Sequence, residues 1–158
     1  MDSITQAALG ASIAGAVAGK TLGRSALLTG ALLGTLPDLD VVIDYGTAVA
    51  NFTQHRGFSH SLFILAPLSL LIAWGLWRWK PLISYQRWLA LVGLILITHP
   101  LLDAFTTYGT QLFWPIGPPV AINSIFIIDP LYTLPLLAVV IWALFRKNWT
   151  RRFQAWMT

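Results

Sequence analysis

Glutamate and cysteine are absent from the 158 residues, and charge of either sign is scarce, with ten Lys and Arg against six Asp. Without Cys there is neither a disulfide framework nor a thiolate metal site, and the redox compartment stays unconstrained. Charged residues make up 10% and apolar residues 56%, against about 25% and 45–50% in soluble domains, which argues against an ordinary soluble fold. The net charge is +4, yet the basic residues form short clusters between apolar segments rather than a stripe, so no nucleic acid partner is expected. Internal repeats and low-complexity segments are also missing. The N-terminus carries Asp2 where a secretory signal would carry Lys or Arg, so this segment is expected to remain part of the fold.

What is present is a series of apolar stretches with helical length. They predict a single membrane-embedded domain over 1–158: an all-α, polytopic transmembrane bundle of about five helices. The expected helices cover 4–19, 25–36, 61–79, 88–105 and 130–145. The first two are short and rich in glycine, with Gly15 and Gly19, then Gly30 and Gly34, spaced for close helix packing. The last three approach the roughly 17–20 apolar residues needed to cross a ~30 Å hydrocarbon core. The second, about 20 Å long, ends at Pro37 and delivers the following residues below the membrane surface. Lys20 and Arg24, then Arg78, Lys80 and Arg87, then Arg146, Lys147, Arg151 and Arg152 fall on one side if every segment crosses. The positive-inside rule makes that side cytoplasmic, with the N-terminus outside and the C-terminus inside. A shallow re-entrant hairpin of the first two helices would leave Lys20 and Arg24 in the membrane and ranks second. Trp74, Trp77, Trp79, Trp88, Trp142 and Trp149 fit an interfacial belt.

The same threading gathers Asp2, Asp38, Asp40, Asp44, His55, His60, His99, Asp103 and Asp129 toward the outer face. Arg56 is the one basic residue among them. In GTLPDLD, Asp38 and Asp40 follow a helix that ends in apolar surroundings, where a carboxylate needs a partner, a cavity or a cation; in water the same motif would be a capped turn. In HRGFSHS, His55 falls on a loop and His60 on the first turn of a helix, with Ser59 or Ser61 available as a cap; the alternative is an interfacial loop with exposed imidazoles. In HPLLDAF, His99 and Asp103 share a helix face, either chelating one ion or forming a hydrogen-bonded pair, and Pro100 is expected to kink the helix beside them. Asp129 before Pro130 either caps the last helix or orients a ligand histidine.

Together these residues predict a metal site built from Asp38, Asp40, His55, His60, His99 and Asp103. Nitrogen and oxygen ligands without sulfur suit a divalent ion, zinc first, with manganese or iron as alternatives. Two ions clamping a phosphoryl group are also compatible. Asp38, Asp129 and Arg56 are the catalytic candidates. A carboxylate free of metal would accept the proton from attacking water, and Arg56 would hold a phosphate or simply meet lipid headgroups.

The start MDSITQAALGA, the stretch GALLGTLPDLDVV, the segment HRGFSHSL, and the run ITHPLLDAFTTYGTQLFWP followed by NSIFIIDPLYTLPLL resemble a bacterial family. It is that of the predicted membrane-bound metal-dependent hydrolases, the YdjM-like inner membrane proteins linked to LexA and the SOS response. The resemblance covers residues 1 to about 145. It implies an inner-membrane location and a divalent-metal hydrolase, with the polar motifs on Asp38, Asp40, His55, His60, His99 and Asp103. Two departures bear on this. Gln6 stands where relatives often carry His or Gln and can still bind, whereas Gly15 stands where some carry an acid and cannot. Many relatives also continue well past the fifth helix.

The expected function is hydrolysis of a lipid or phosphoester substrate near the outer face, with membrane lipids as partners. A metal-independent lipid phosphatase with a histidine nucleophile is disfavoured, because the Arg that should precede the HxxxD histidine is replaced by Gly93 and apolar neighbours. A non-enzymatic metal-binding membrane scaffold or metal-ion carrier is the other alternative. A carrier would need acidic residues or His on the cytoplasmic half, and none lie there.

Overall fold

The structure, a computed structural model, describes residues 1–145. Arg146, Lys147, Trp149, Arg151 and Arg152, expected on the cytoplasmic side, lie outside the described residues. The apolar stretches form helices close to the predicted positions: α1 (Ser3–Leu22), α2 (Arg24–Thr35), α4 (Leu62–Trp79), α5 (Tyr85–Ala104) and α6 (Pro130–Phe145). A short helix, α3 (Ala48–Gln54), was not expected; Thr47 caps it by accepting from Ala50 N at 3.1 Å. Two 3-10 turns, Pro37–Val42 and Phe58–His60, complete the set. Among the described residues there are no strands, only isolated bridges that fold the 106–125 segment back on itself.

Local chemistry sets the helix ends. Asp2 Oδ1 accepts from Thr5 N at 3.0 Å and starts α1. Gly23, in the left-handed region at φ 59°, ends α1 and lets α2 begin at once. Pro37 cannot continue α2 and opens a 3-10 turn instead. α5 runs through Pro100 to Ala104.

The α1–α2 pair is the tightest in the fold. A Cβ on Gly10 would collide with the Gly30 carbonyl, and a Cβ on Gly34 with the Gln6 carbonyl. Small residues let the two backbones touch, as in membrane helix pairs. Gly30 and Gly34 make this contact as expected, and on α1 Gly10 joins them. α4 packs on α5, and α1 also meets α5 and α6. The main core joins Ala14, Ala18 and Ala26 to Leu65, Leu91, Ile95 and Leu96. Trp88 belongs to this core at 1% exposure, its Nε1 donating to the Lys80 carbonyl at 3.1 Å. It is therefore not part of an interfacial belt, because α4 covers it and the carbonyl satisfies its one donor. Trp74, Trp79 and Trp142 are exposed.

Two helices, Leu62–Trp79 and Tyr85–Ala104, are long and apolar enough to cross a membrane, and Pro130–Phe145 is apolar but shorter. Leu70, Leu71 and Trp74 on α4, and Leu131, Leu134 and Trp142 on α6, present bare apolar surface, which water would not tolerate as a contiguous patch. Lys20, Arg24, Arg78, Lys80 and Arg87 sit at the ends of α1, α2, α4 and α5 opposite those that carry the Asp and His residues.

Candidate metal centre

Four polar side chains meet where α2 and α5 end and α1 and α4 begin. Asp38 comes from the 3-10 turn after α2 and His60 from the turn before α4. His99 and Asp103 lie one turn apart on α5 and share a face. His60 Nε2 stands 3.1 Å from His99 Nε2. Asp38 Oδ1 is 3.5 Å from His60 Nε2 and 3.3 Å from His99 Nε2. Asp103 Oδ2 is 3.2 Å and 3.6 Å from the same two nitrogens. One ligand atom from each of the four residues lies within 4.8 Å of all the others. A tetrahedral ion with bonds of 2.0–2.1 Å has ligand-to-ligand edges of about 3.3–3.4 Å, and the five distances scatter around that value.

The hydrogen bonds behind the two imidazoles fix which nitrogen is bare. His99 Nδ1 lies 2.7 Å from the Gly34 carbonyl, which can only accept, so Nδ1 carries the proton. Ser59 Oγ donates to Asp40 Oδ2 at 2.6 Å, so it accepts from His60 Nδ1 at 2.8 Å. In both neutral rings Nε2 is therefore a lone pair, and the two lone pairs face each other beside two carboxylates. Four acceptors converge where no donor lies between them. Asp103 Oδ2 and Gln6 Oε1 are buried and accept no hydrogen bond, although Arg56 Nε stands 3.5 Å from Asp103 Oδ2. Such a concentration of buried acceptors is costly unless cations neutralise it, and Arg56 offsets only one of the two carboxylates. Two carboxylates and two neutral imidazoles match the charge of one divalent ion, and the donor set fits zinc, manganese or iron.

The titration behaviour agrees. Burial pushes His60 down to about 4, so it is neutral at pH 7 and ready to ligate.

Asp40 and His55, expected as ligands, stand outside this quartet. Asp40 Oδ1 pairs with His55 Nδ1 at 2.9 Å, and its Oδ2 accepts from Arg56 N at 3.0 Å as well as from Ser59. Those bonds outweigh burial and keep Asp40 ionised below the usual range. With both oxygens engaged, Asp40 supports the quartet through Ser59. Arg56, expected as a phosphate holder, is 5% exposed. Its Nη1 donates to Gly109 O at 3.3 Å and its Nη2 to Met1 O at 3.2 Å, while the backbone takes a left-handed turn at φ 64° that aims its N–H at Asp40. Asp129 Oδ1 accepts from Leu131 N at 3.0 Å and caps α6 without joining the quartet. Asp44 is exposed and accepts from Gly46 N and Asn51 Nδ2.

Gln6 Nε2 donates to Asp103 Oδ1 at 3.1 Å and to the His99 carbonyl at 3.2 Å, which ties α1 to the quartet. The Met1 amine also pairs with Asp103 Oδ1; burial first, then Arg56, lowers it to about 5. Ser59 and the Gly34 carbonyl were not foreseen as orienting groups. Ser59 carried a signal, since it adjoins His60, but capping was the simpler reading. The Gly34 carbonyl carried none, because backbone atoms have no sequence signature.

Two cavities, of about 530 and 500 Å³, lie on the His55 side of the site, are lined by none of the four quartet residues, and share His55, Arg56, Tyr108 and Ile127. Asp40 also lines the second.

A family model described as YdjM inner membrane protein matches residues 1–158. The chain is similar to Inner membrane protein YbcI of Escherichia coli, with 36% identity over 112 residues, 70% of this chain and 64% of that protein. It is also similar to Uncharacterized protein YfhP of Bacillus subtilis, with 30% identity over 108 residues, 67% of this chain and 33% of that protein. The matched segment thus spans under two thirds of either relative. No solved structure matches the chain.

Proposed function

Because this chain belongs to the YdjM family of inner membrane proteins, we propose that it is a multi-pass, metal-dependent hydrolase acting on a lipid or other phosphoester or ester at the outer face. The observation that carries the metal half of this reading is the pair of bare Nε2 atoms 3.1 Å apart, flanked by Asp38 and Asp103. Zinc is the first choice for a nitrogen–oxygen set with tetrahedral edges. The segregation of Lys and Arg from Asp and His to opposite helix ends supports an external N-terminus and external site, with the cationic ends in the cytoplasm.

When bound, the ion supplies a water acidified toward pH 7 and polarises the reacting oxygen. The chain's own residues prepare the rest. Ser59 and the Gly34 carbonyl hold the two ligand rings in the correct tautomer. Gln6 fixes Asp103 from behind by donating to Oδ1, and the Arg56 guanidinium balances the charge on Oδ2 from 3.5 Å. Asp40 holds His55 at Nδ1, so a neutral His55 ring keeps Nε2 free as the proton acceptor on the cavity side. Asp40 thus serves as the carboxylate free of metal, acting through an imidazole. Asp129 and Arg56 leave the list of catalytic candidates, one as a cap and the other as a buried brace.

A specific observation favours a second reading, a non-enzymatic metal-stabilised scaffold. The four side chains would by themselves supply the ligand number of a structural site, and among them only Asp38, 11% exposed, is not fully enclosed. Hydrolysis would need a reactant to reach the ion past Asp38. Counting bound metal in detergent-purified protein and assaying phospholipids and esters with and without chelator decides between the two. Chelator-sensitive hydrolysis supports the enzyme; one tightly held ion with no turnover on the whole panel sinks it.

A further inference from the structure

No residue from 104 to 128, the end of α5 and most of its connection to α6, is charged, whereas about a quarter of the residues in a water-facing domain are. The large apolar side chains of this connection are not all turned inward: Phe126 and Ile128 are 73% and 71% exposed. The 3-10 turn after α2 repeats the pattern. Its two acids, Asp38 and Asp40, are turned inward, while Val41 and Val42 are bare, Val42 at 79%. Turn and connection meet around the second cavity, which Val41, Ile43 and Ile127 line together. The opposite helix ends are built the other way, with Lys20, Arg24, Arg78 and Arg87 all exposed.

We propose that the 3-10 turn and the 126–128 segment are immersed in the bilayer leaflet on the site's side, in the upper acyl region, so that the second cavity opens into lipid rather than water. The backbone argues for lipid as the cover. Irregular chain at membrane depth has to satisfy its polar groups within the protein. Pro115, Pro118 and Pro119 have no N–H to satisfy. Val120 N donates to Thr110 O at 2.8 Å, Ile122 N to Ala104 O at 2.7 Å, and Ser124 N and Ile125 N both donate to Phe105 O. The Ile127 carbonyl accepts from Asp2 N at 3.0 Å. In the turn, Leu39 N and Ile43 N donate to the Leu36 and Asp40 carbonyls. A protein interface ends in a polar rim, but beyond the α6 cap at Asp129 this surface resumes in exposed Leu131 and Leu134. Asp44 and Asp129, the acids that follow the two segments, set the depth: they stand at head-group level and the immersion is shallow. On the hydrolase reading, a reactant then arrives from the leaflet; that clause rests on the proposed function, and the immersion does not.

The chain has no cysteine, so nitroxide labels can be placed one at a time. Full chains carrying Val42→Cys or Ile128→Cys are labelled and reconstituted into vesicles of phosphatidylethanolamine and phosphatidylglycerol. Paramagnetic resonance then compares collisions with oxygen, which dissolves in hydrocarbon, and with a neutral nickel chelate, which stays in water. Leu134→Cys on α6 is the hydrocarbon reference and Arg24→Cys the aqueous one. Oxygen collisions should exceed nickel collisions several-fold at 42 and 128, with the order reversed at 24. Phe126→Cys reads the same segment if Ile128→Cys fails to fold. An excess of nickel collisions at either segment overturns the proposal. Shielding from both reagents also overturns it, because a second copy or a protein partner would then cover the patch. Assaying hydrolysis in the same vesicles separates the two ideas: labels that report lipid in a protein that turns over no substrate sink the enzymatic reading and leave the immersion standing.

Discussion

Asp38 and Asp40 flank Leu39, and His55 and His60 bracket one tight turn, yet the two Asp–His sets live in different surroundings. The inner set, with His99 and Asp103 added, is largely buried and converges lone pairs on one point. In the outer set, Asp40 receives three hydrogen bonds and His55 borders two cavities. Identical residue types thus acquire opposite tasks from their partners. Where donors engage the back of each ligand and leave Nε2 and one carboxylate oxygen facing inward, carboxylate and imidazole are set to gather a cation. Where a carboxylate faces an imidazole directly, the pair orients a ring that can move a proton.

The contrast can be broken at either set. The largest effect is expected from His99→Ala or Asp103→Asn, which should lower metal affinity by more than the 10–100-fold typical of supporting residues; elemental analysis of purified protein reads this, and full occupancy in both variants would dissolve the inner set. His55→Gln should leave metal content unchanged and lower turnover by about 10²–10⁴-fold; loss of metal instead would return His55 to the ligands. Ser59→Ala lies between the two sets. It should weaken metal binding about 10–100-fold by freeing the His60 ring, measured by competition with a chelating dye. A pH series sharpens the same point. Burial lowers His60 to about 4 rather than near 6.5, so its own ring should show no titration between pH 8 and 6 in NMR spectra of metal-free protein. A His60 midpoint near 6.5 would contradict its burial. The smallest effect belongs to Asp129→Ala, which removes the α6 cap and should cost about 1 kcal/mol in unfolding without touching metal content.

Much of this was legible beforehand. Hydropathy located α4, α5 and α6 to within a few residues, because long apolar runs leave little choice of conformation. The HxxxD spacing put His99 and Asp103 on one face. What spacing could not do was divide six candidate ligands into an inner and an outer set, since that depends on which donors lie behind each group, and these come from distant backbone at Gly34 and from Arg56 N. Arg56 misled for a related reason. A lone cation among acids looks like a substrate clamp, but its guanidinium is occupied by carbonyls of Met1 and Gly109. Gly10 was overlooked because it has no glycine four residues away, and its contact with Gly30 depends on how α1 and α2 cross.

The quartet also bears on how the fold is tied together. Its ligands follow α2, precede α4 and end α5, so they coincide only when those three helix ends are packed at one place. On the metal-site reading, a captured ion would act as a crosslink between segments up to 65 positions apart in the sequence, and its removal would loosen the helix ends rather than the α1–α2 contact.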